Sequence, residues 1–349
     1  MSFKPKFEIS THLSNLLTQI ALCRERILTL KILPKREVSL KRSARLRMIH
    51  SSTAIEGNPL NLKEVENILQ GKIVTGVSEK DRLEVINYEK VMKYIDRLVE
   101  KQKPPSWEKA ILKIHKLTTD NILPPDQSGH YRKGPVYIVS QPAKKILYTA
   151  PKASKVPKMM KDLCAWLKND KTQELSPVII SAIAHHQFVT IHPFSDGNGR
   201  TARALATLIL YKKGYDIKKM FALEDYYNLN RSDYYKAISN ARKKKDLLIF
   251  LEYFAQGLLT ELQHILQKVE RFTYEVKGEK QPIYLSQRQR DILDFVSING
   301  KAHRNDIVEL TKVSPKTAYR ELEFLRKKGL LKRRAKGPAT HYTLAKQKS

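Results

Sequence analysis

The feature that most constrains this fold is a polar joint between two apolar runs. Residues 178–189, VIISAIAHHQFV, and 204–211, ALATLILY, are apolar around most of a helix circumference, so both belong in an interior. The stretch that joins them, TIHPFSDGNGRTAR (190–203), holds a histidine, an acid, an amide, two glycines and two arginines. Packing alone gives no reason to place such groups inside a helix hairpin. Wrapping an anion does.

Each residue of the joint has a chemistry that fits this. Gly197 and Gly199 let successive backbone N–H groups converge on one point. The next helix begins there and adds its unpaired N–H groups and positive dipole end. Arg200 and Arg203, three residues apart, are spaced to grip phosphate oxygens. Asn198 supplies an amide donor, Asp196 a carboxylate suited to Mg²⁺, and His192 a proton acceptor near neutral pH. Together these are the parts of a phosphoryl or nucleotidyl transfer site. The bland alternative is a capped helix hairpin with a surface histidine.

At these residues the chain resembles a known family. HPFSDGNGRTAR matches without gaps the HPFx(D/E)GNGRxxR signature of the Fic (Fic/Doc, Fido) family, whose members mostly transfer AMP from ATP to a protein hydroxyl. GHYRKGPVYI, YTAP and VPKMMKDLCAWL are similar to the family segment that precedes the motif, and the likeness spans about residues 40 to 260. The resemblance implies a mainly α fold, a Fic/Fido helical core with a β-hairpin flap over 134–151 that aligns the target side chain. It implies His192 as the base that deprotonates a Ser, Thr or Tyr hydroxyl, with Phe194 packed beneath the loop. Asp196 would hold Mg²⁺ and Asn198 would contact the α-phosphate. Gly197, Gly199 and Arg200 would bind the phosphate chain, flanked by Thr201 and Ala202, and Arg203 the γ-phosphate. Tyr234 falls where the family places an adenosine contact. Doc-type members, which phosphorylate, carry lysine at the second glycine of GNG. Gly199 here implies AMP transfer.

A second family pattern precedes the core. SSTAIEGN resembles the (S/T)xxxE(G/N) inhibitory motif, with Ser52 and Glu56 in its fixed positions at the end of a helix over about 40–57. Glu56 paired with Arg203 would place negative charge where the γ-phosphate belongs. The resemblance also leaves room for the reverse reaction, removal of AMP.

Helical spacing further predicts helices near 11–32, 62–71, 80–102, 106–121, 153–169, 231–242 and 246–275. The expected division is an N-terminal helical region over 1–105, a catalytic core over 106–275, a linker over 276–285 and a last domain over 286–349. That last domain reads as three short helices and two strands, and resembles a winged helix-turn-helix. Ser314 and Pro315 would open its recognition helix. Lys316, Thr317, Tyr319 and Arg320 would face a DNA groove, with Lys332, Arg333, Arg334 and Lys336 on the wing.

Composition sets the partners. Lysine and arginine total 65 against 35 acidic residues, a formal net charge of +30. Such a surplus favours nucleic acid, phosphorylated ligands or anionic surfaces, although a lysine-rich proteome gives it too. Two cysteines, Cys23 and Cys164, admit no disulfide framework, and no signal peptide or membrane span is evident, so the expected location is cytoplasmic. His185 and His186 point about 100° apart on a helix and form no metal set with His192. Trp107 and Trp166 read as core. The resemblance implies an ATP- and Mg²⁺-dependent protein adenylyltransferase that also modifies itself, and charge and patterning add DNA as a second partner, no membrane, and room for a homodimer. The competing expectation is a DNA-binding transcriptional regulator whose Fic core only senses nucleotide.

Overall fold

The computed structural model describes residues 3–30, 32, 34–101, 104–139, 146–275, 285–335 and 337–345. Among these the chain is mainly helical, and the two apolar runs sit at its centre. They form α8 (Pro177–Ile191) and α9 (Asn198–Lys212), an antiparallel pair buried on nearly all sides. Around them pack α1 (Thr11–Thr29), α2 (Pro34–Ala54), α3 (Leu62–Leu69), α4 (Glu79–Glu100), α5 (Trp107–Thr118) and α6 (Val156–Trp166). The short α7 (Asp170–Gln173) and α10 (Leu223–Leu229), then α11 (Arg231–Lys244) and α12 (Leu248–Glu275), complete the layer. α8 packs on α6 and α12, and α9 on α4 and α5, so one continuous core surrounds the joint.

Local sequence sets the helix starts. Ser10, Ser78, Ser106 and Ser176 each accept a hydrogen bond from a first-turn amide, and Asn61 with Glu64 closes a capping box. Two boundaries differ from expectation. α2 starts at Pro34, not near residue 40, because proline suits a first helical position whose N–H needs no partner. The expected helix over 153–169 is a 3-10 turn at Ala153–Lys155 followed by α6. The expected hairpin is present: β1 (Tyr137–Val139) pairs antiparallel with β2 (Ile146–Thr149), Ile138 opposite Tyr148. Its turn, and all but the last residue of the expected linker, lie outside the described residues.

The C-terminal segment has its own core. α13 (Gln287–Asn299), α14 (Arg304–Thr311) and α15 (Pro315–Lys327) precede β3 (Leu331–Arg334) and β4 (His341–Leu344), paired with Arg333 opposite Tyr342. Ile292, Val296, Ile307, Leu322 and Leu325 are fully buried together. Among the described residues no helix is long and apolar enough to cross a membrane.

Candidate active site

The joint forms a tight cradle at the start of α9. Gly197 takes φ +74°, and a Cβ there would stand 2.9 Å from Thr119 Cγ2, so glycine is required on both counts. The first helical hydrogen bond is Thr201 N–H to the Gly197 carbonyl, 3.0 Å. The amides of Asn198, Gly199 and Arg200 therefore come before the ladder and make no hydrogen bond among the described residues. Three free N–H groups and a helix dipole converge there, as an anion requires.

His192 caps α8 in the left-handed region, φ 52° and ψ 61°. Its Nδ1–H donates to the Val189 carbonyl at 3.3 Å, which leaves Nε2 as the basic nitrogen. Burial first, then the charges of Arg242 and Arg132, hold its pKa below the ordinary value, while Glu56 pulls it back up. The imidazole is thus neutral and ready to accept a proton at physiological pH. Asp196 lies at the exposed lip. Its Oδ1 accepts from Gly197 N–H at 2.6 Å and its Oδ2 is 3.9 Å from Arg200 Nη2.

A residue that the sequence did not flag holds this loop. His115, on α5, accepts from Gly129 N–H at Nδ1 (2.9 Å) and donates from Nε2 to the Asp196 carbonyl (2.9 Å). Its ring stacks on Phe194 at 3.6 Å, 7° from parallel, so Phe194 is packed beneath the loop as expected. Burial pushes the His115 pKa down to about 4, which keeps it neutral. Arg132 adds a second brace, donating to the carbonyls of His192 (2.8 Å) and Gly134 (2.9 Å). On the flap, the Tyr148 hydroxyl donates to the Thr190 carbonyl at 2.7 Å, under a stacked Arg242.

Several of the expected ligand side chains are buried and already paired. The Asn198 amide is fully engaged with the Phe194 backbone, accepting from its N–H and donating to its carbonyl, both at 2.9 Å. It ties the loop and leaves only its backbone N–H for a phosphate. Arg200 is 2% exposed and ion-paired with Glu84 at 2.9 Å, which directs it beneath the loop. Thr201 and Ala202 are fully buried against the core. Tyr234 is 1% exposed, hydrogen-bonded to His185 Nε2 (2.8 Å) and stacked on Tyr227. Tyr227, Tyr235 and Tyr253 surround its ring. His185 and His186 are likewise buried, and no cluster of three metal-type ligands occurs among the described residues.

Arg203 and the end of α2 meet over the cradle. The Arg203 guanidinium donates to Ser52 Oγ (3.0 Å), to the Ser52 carbonyl (2.8 Å) and to Glu56 Oε1 (2.7 Å). Burial opposes its charge, but Glu56, Tyr234 and Tyr88 together outweigh burial and hold its pKa above the ordinary value. A Cβ on Gly199 would lie 2.2 Å from Glu56 Oε1, so the carboxylate rests directly on the anion cradle. Tyr235 donates to the Ile55 carbonyl at 3.3 Å, and Arg231 donates to the same oxygen. Ser51 and Arg47 both bind Asp225. The turn that bears Glu56 is thus latched from α10 and α11.

In the last domain, Ser314 accepts from Thr317 N–H at 3.2 Å and opens α15 as expected. Lys316, Tyr319, Arg320, Lys332, Arg333 and Arg334 are exposed. Thr317 is half-buried, its hydroxyl 3.0 Å from Ser314 Oγ. Lys336 lies outside the described residues.

Comparison with known proteins places two recognised domains on the chain. Residues 105–210 match the Fic/DOC family and residues 288–341 the DeoR-like helix-turn-helix domain. Protein adenylyltransferase fic-1 of Caenorhabditis elegans is 30% identical over 220 residues, covering 62% of this chain and 40% of the relative. Protein adenylyltransferase Fic of Drosophila melanogaster is 32% identical over 176 residues, 50% of this chain and 34% of the relative. The chain thus spans well under half the length of these curated relatives. Among solved structures, a Fic family protein from Desulfovibrio desulfuricans G20 superposes with a TM-score of 0.68 at 25% identity, covering 99% of this chain and all of the other. Fic-1 of C. elegans gives 0.60 at 26% identity, with 74% and 73% covered. On sequence, site and fold together, this chain carries a Fic/DOC family domain, followed by a DeoR-like helix-turn-helix domain.

Proposed function

We propose that the chain is an ATP-dependent protein adenylyltransferase restrained by Glu56. The observation that carries the reading is the seat of Glu56 Oε1, 2.7 Å from Arg203 and directly over Gly199. A carboxylate there imitates the anion for which the cradle is built.

In the proposed reaction the hydroxyl oxygen of a Ser, Thr or Tyr on a target protein, or on this chain itself, bonds to the α-phosphorus of ATP. The bond from that phosphorus to the α,β-bridging oxygen breaks, and pyrophosphate leaves with the electron pair. The hydroxyl proton passes to His192 Nε2. The free amides of residues 198–200 and the α9 dipole stabilise the phosphate charge. Arg203 takes the terminal phosphate once Glu56 has left. Mg²⁺ fits the donor set: Asp196 offers a half-exposed carboxylate with Oδ2 open, and this ion commonly takes one or two carboxylates plus phosphate oxygens. When bound, it would offset phosphate charge. The flap, tied to Thr190 through Tyr148, would align the target segment by strand pairing. Two free cysteines fit a cytoplasmic setting.

The test is transfer of label from α-labelled ATP with Mg²⁺. Glu56→Gly is expected to raise self-modification at least tenfold over wild type, with His192→Ala as the blank. Equal labelling in wild type and Glu56→Gly would remove the brake, and no labelling in either would remove the transferase. The exposed basic face of α15 and the wing supports a second reading, a nucleotide-sensing regulator that binds DNA. It predicts ATP binding without labelling in every variant.

A further inference from the structure

Helix α2 belongs to two cores at once. Its C-terminal end delivers Ser52 and the turn with Glu56 to Arg203. Near its other end Val38, 4% exposed, is buried with Leu293, Val296 and Leu322 in the core of the C-terminal domain. Lys41 pairs with Asp294 of α13 at 3.0 Å, and Ser297 Oγ donates to the Val38 carbonyl at 3.5 Å. From α4, Lys93 donates to Asn299 Oδ1 at 2.9 Å. At 1.5 Å rise per residue, Val38 and Ser52 lie about 21 Å apart on one stiff rod.

The junction has the composition of a separable contact. A cavity of about 60 Å³ lies in it, lined by Lys41, Arg42, Arg45, Asp96, Lys219 and Asp294 among others. Asp294 Oδ1 and Arg45 Nη1 are buried with no hydrogen-bond partner among the described residues. Val38 is the α2 side chain that joins the second core. Polar, incompletely satisfied interfaces of this kind resemble transient ones, and relative motion of the units is the default expectation.

We propose that the C-terminal domain anchors the brake: seated on α2 it holds Glu56 against Arg203, and lifted it lets Glu56 leave the cradle. α2 is the element with two arrangements that both sites bias. Linkage makes the effect mutual, so ATP, which needs Arg203 free, loosens the domain in return. The inference rests on the reading of Glu56 as a brake, and the test separates the two.

Asp294→Lys combined with Ser297→Trp unseats the domain and leaves α2 unaltered. The full-length protein is titrated with ATP and Mg²⁺ by calorimetry, and amide exchange is followed over residues 38–56. The expected result is at least fivefold tighter ATP binding and faster exchange through α2. Glu56→Gly alone should tighten binding as much or more, and adding the double substitution to Glu56→Gly should change its affinity by less than twofold. ATP affinity within twofold of wild type, or unchanged exchange in α2, overturns the anchor. If Glu56→Gly itself fails to tighten ATP binding, the brake falls and the anchor with it. Should the double variant not fold, Lys93→Glu, a half-exposed position, carries the same test with ATP binding expected to tighten about fourfold, and an affinity within twofold of wild type overturns the anchor.

Discussion

At the scale of single residues the site separates groups that face a ligand from groups that hold the first set still. His192, Asp196 and the glycines were legible because they are contiguous, and their chemistry is readable without a fold. Arg200 and Asn198 read as ligands for the same reason and Tyr234 from its place in the family pattern; in the structure all three side chains are buried. His115 was not legible. It stands 81 residues from Asp196, on the apolar face of an amphipathic helix, where a histidine gives no sign of what it will touch. Its role predicts a pH effect. The folded pKa, about 4, is below the unfolded value near 6.5, so unfolding takes up a proton between these limits. The stability that depends on a neutral His115 is present above pH 6.5 and is lost as pH falls to about 4. His186 acts in the same sense, and Glu224, raised to about 7, in the opposite one. Both are common to wild type and variant. In His115→Gln, the slope of unfolding free energy against pH in this window should fall by about 1.4 kcal/mol per pH unit, read from denaturant midpoints. An unchanged slope would show that His115 is already charged.

At the scale of elements, α8, α9 and the hairpin were the plain parts, since periods near 3.6 and 2 distinguish buried helices from a flap. α2 was read short because it has no single apolar stripe. Its residues bury against different partners at its two ends, so periodicity fades where Val38 turns to the second core. α10 was missed for a related reason: much of its surface is polar, and it serves α2 through Asp225. The end of α2 is held by hydrogen bonds as well as by buried Met48, Ile49 and Ile55, and Ser52 joins it to the Arg203 guanidinium. Ser52→Ala strips the partner from Arg203 Nε inside a fully buried site. A charged donor left unpaired in this way costs about 1–3 kcal/mol. The denaturant midpoint should fall accordingly with the m value unchanged. A loss below about 0.5 kcal/mol would mean that Arg203 is held by Glu56 and the Ser52 carbonyl alone.

At the scale of the whole molecule, charge and architecture point the same way. The net charge of +30 is spread over the chain, but exposed Arg333 and Arg334 concentrate it on the wing. If that face meets duplex DNA, binding should weaken steeply with salt, about 0.9 in log–log slope for each phosphate neutralised. Arg333→Ala with Arg334→Ala should reduce the slope by about two, measured by retention of random-sequence duplex at several ionic strengths. An unaltered slope would assign the wing to a protein partner. The second core also has an order of assembly. Val38 leaves the ribosome early, while the residues that enclose it begin at 285. A chain cut short before that point would keep His192, the cradle and the turn with Glu56, yet lose the domain proposed to anchor α2. Under the proposed brake and anchor, premature termination, which silences most enzymes, would here produce an ungoverned one.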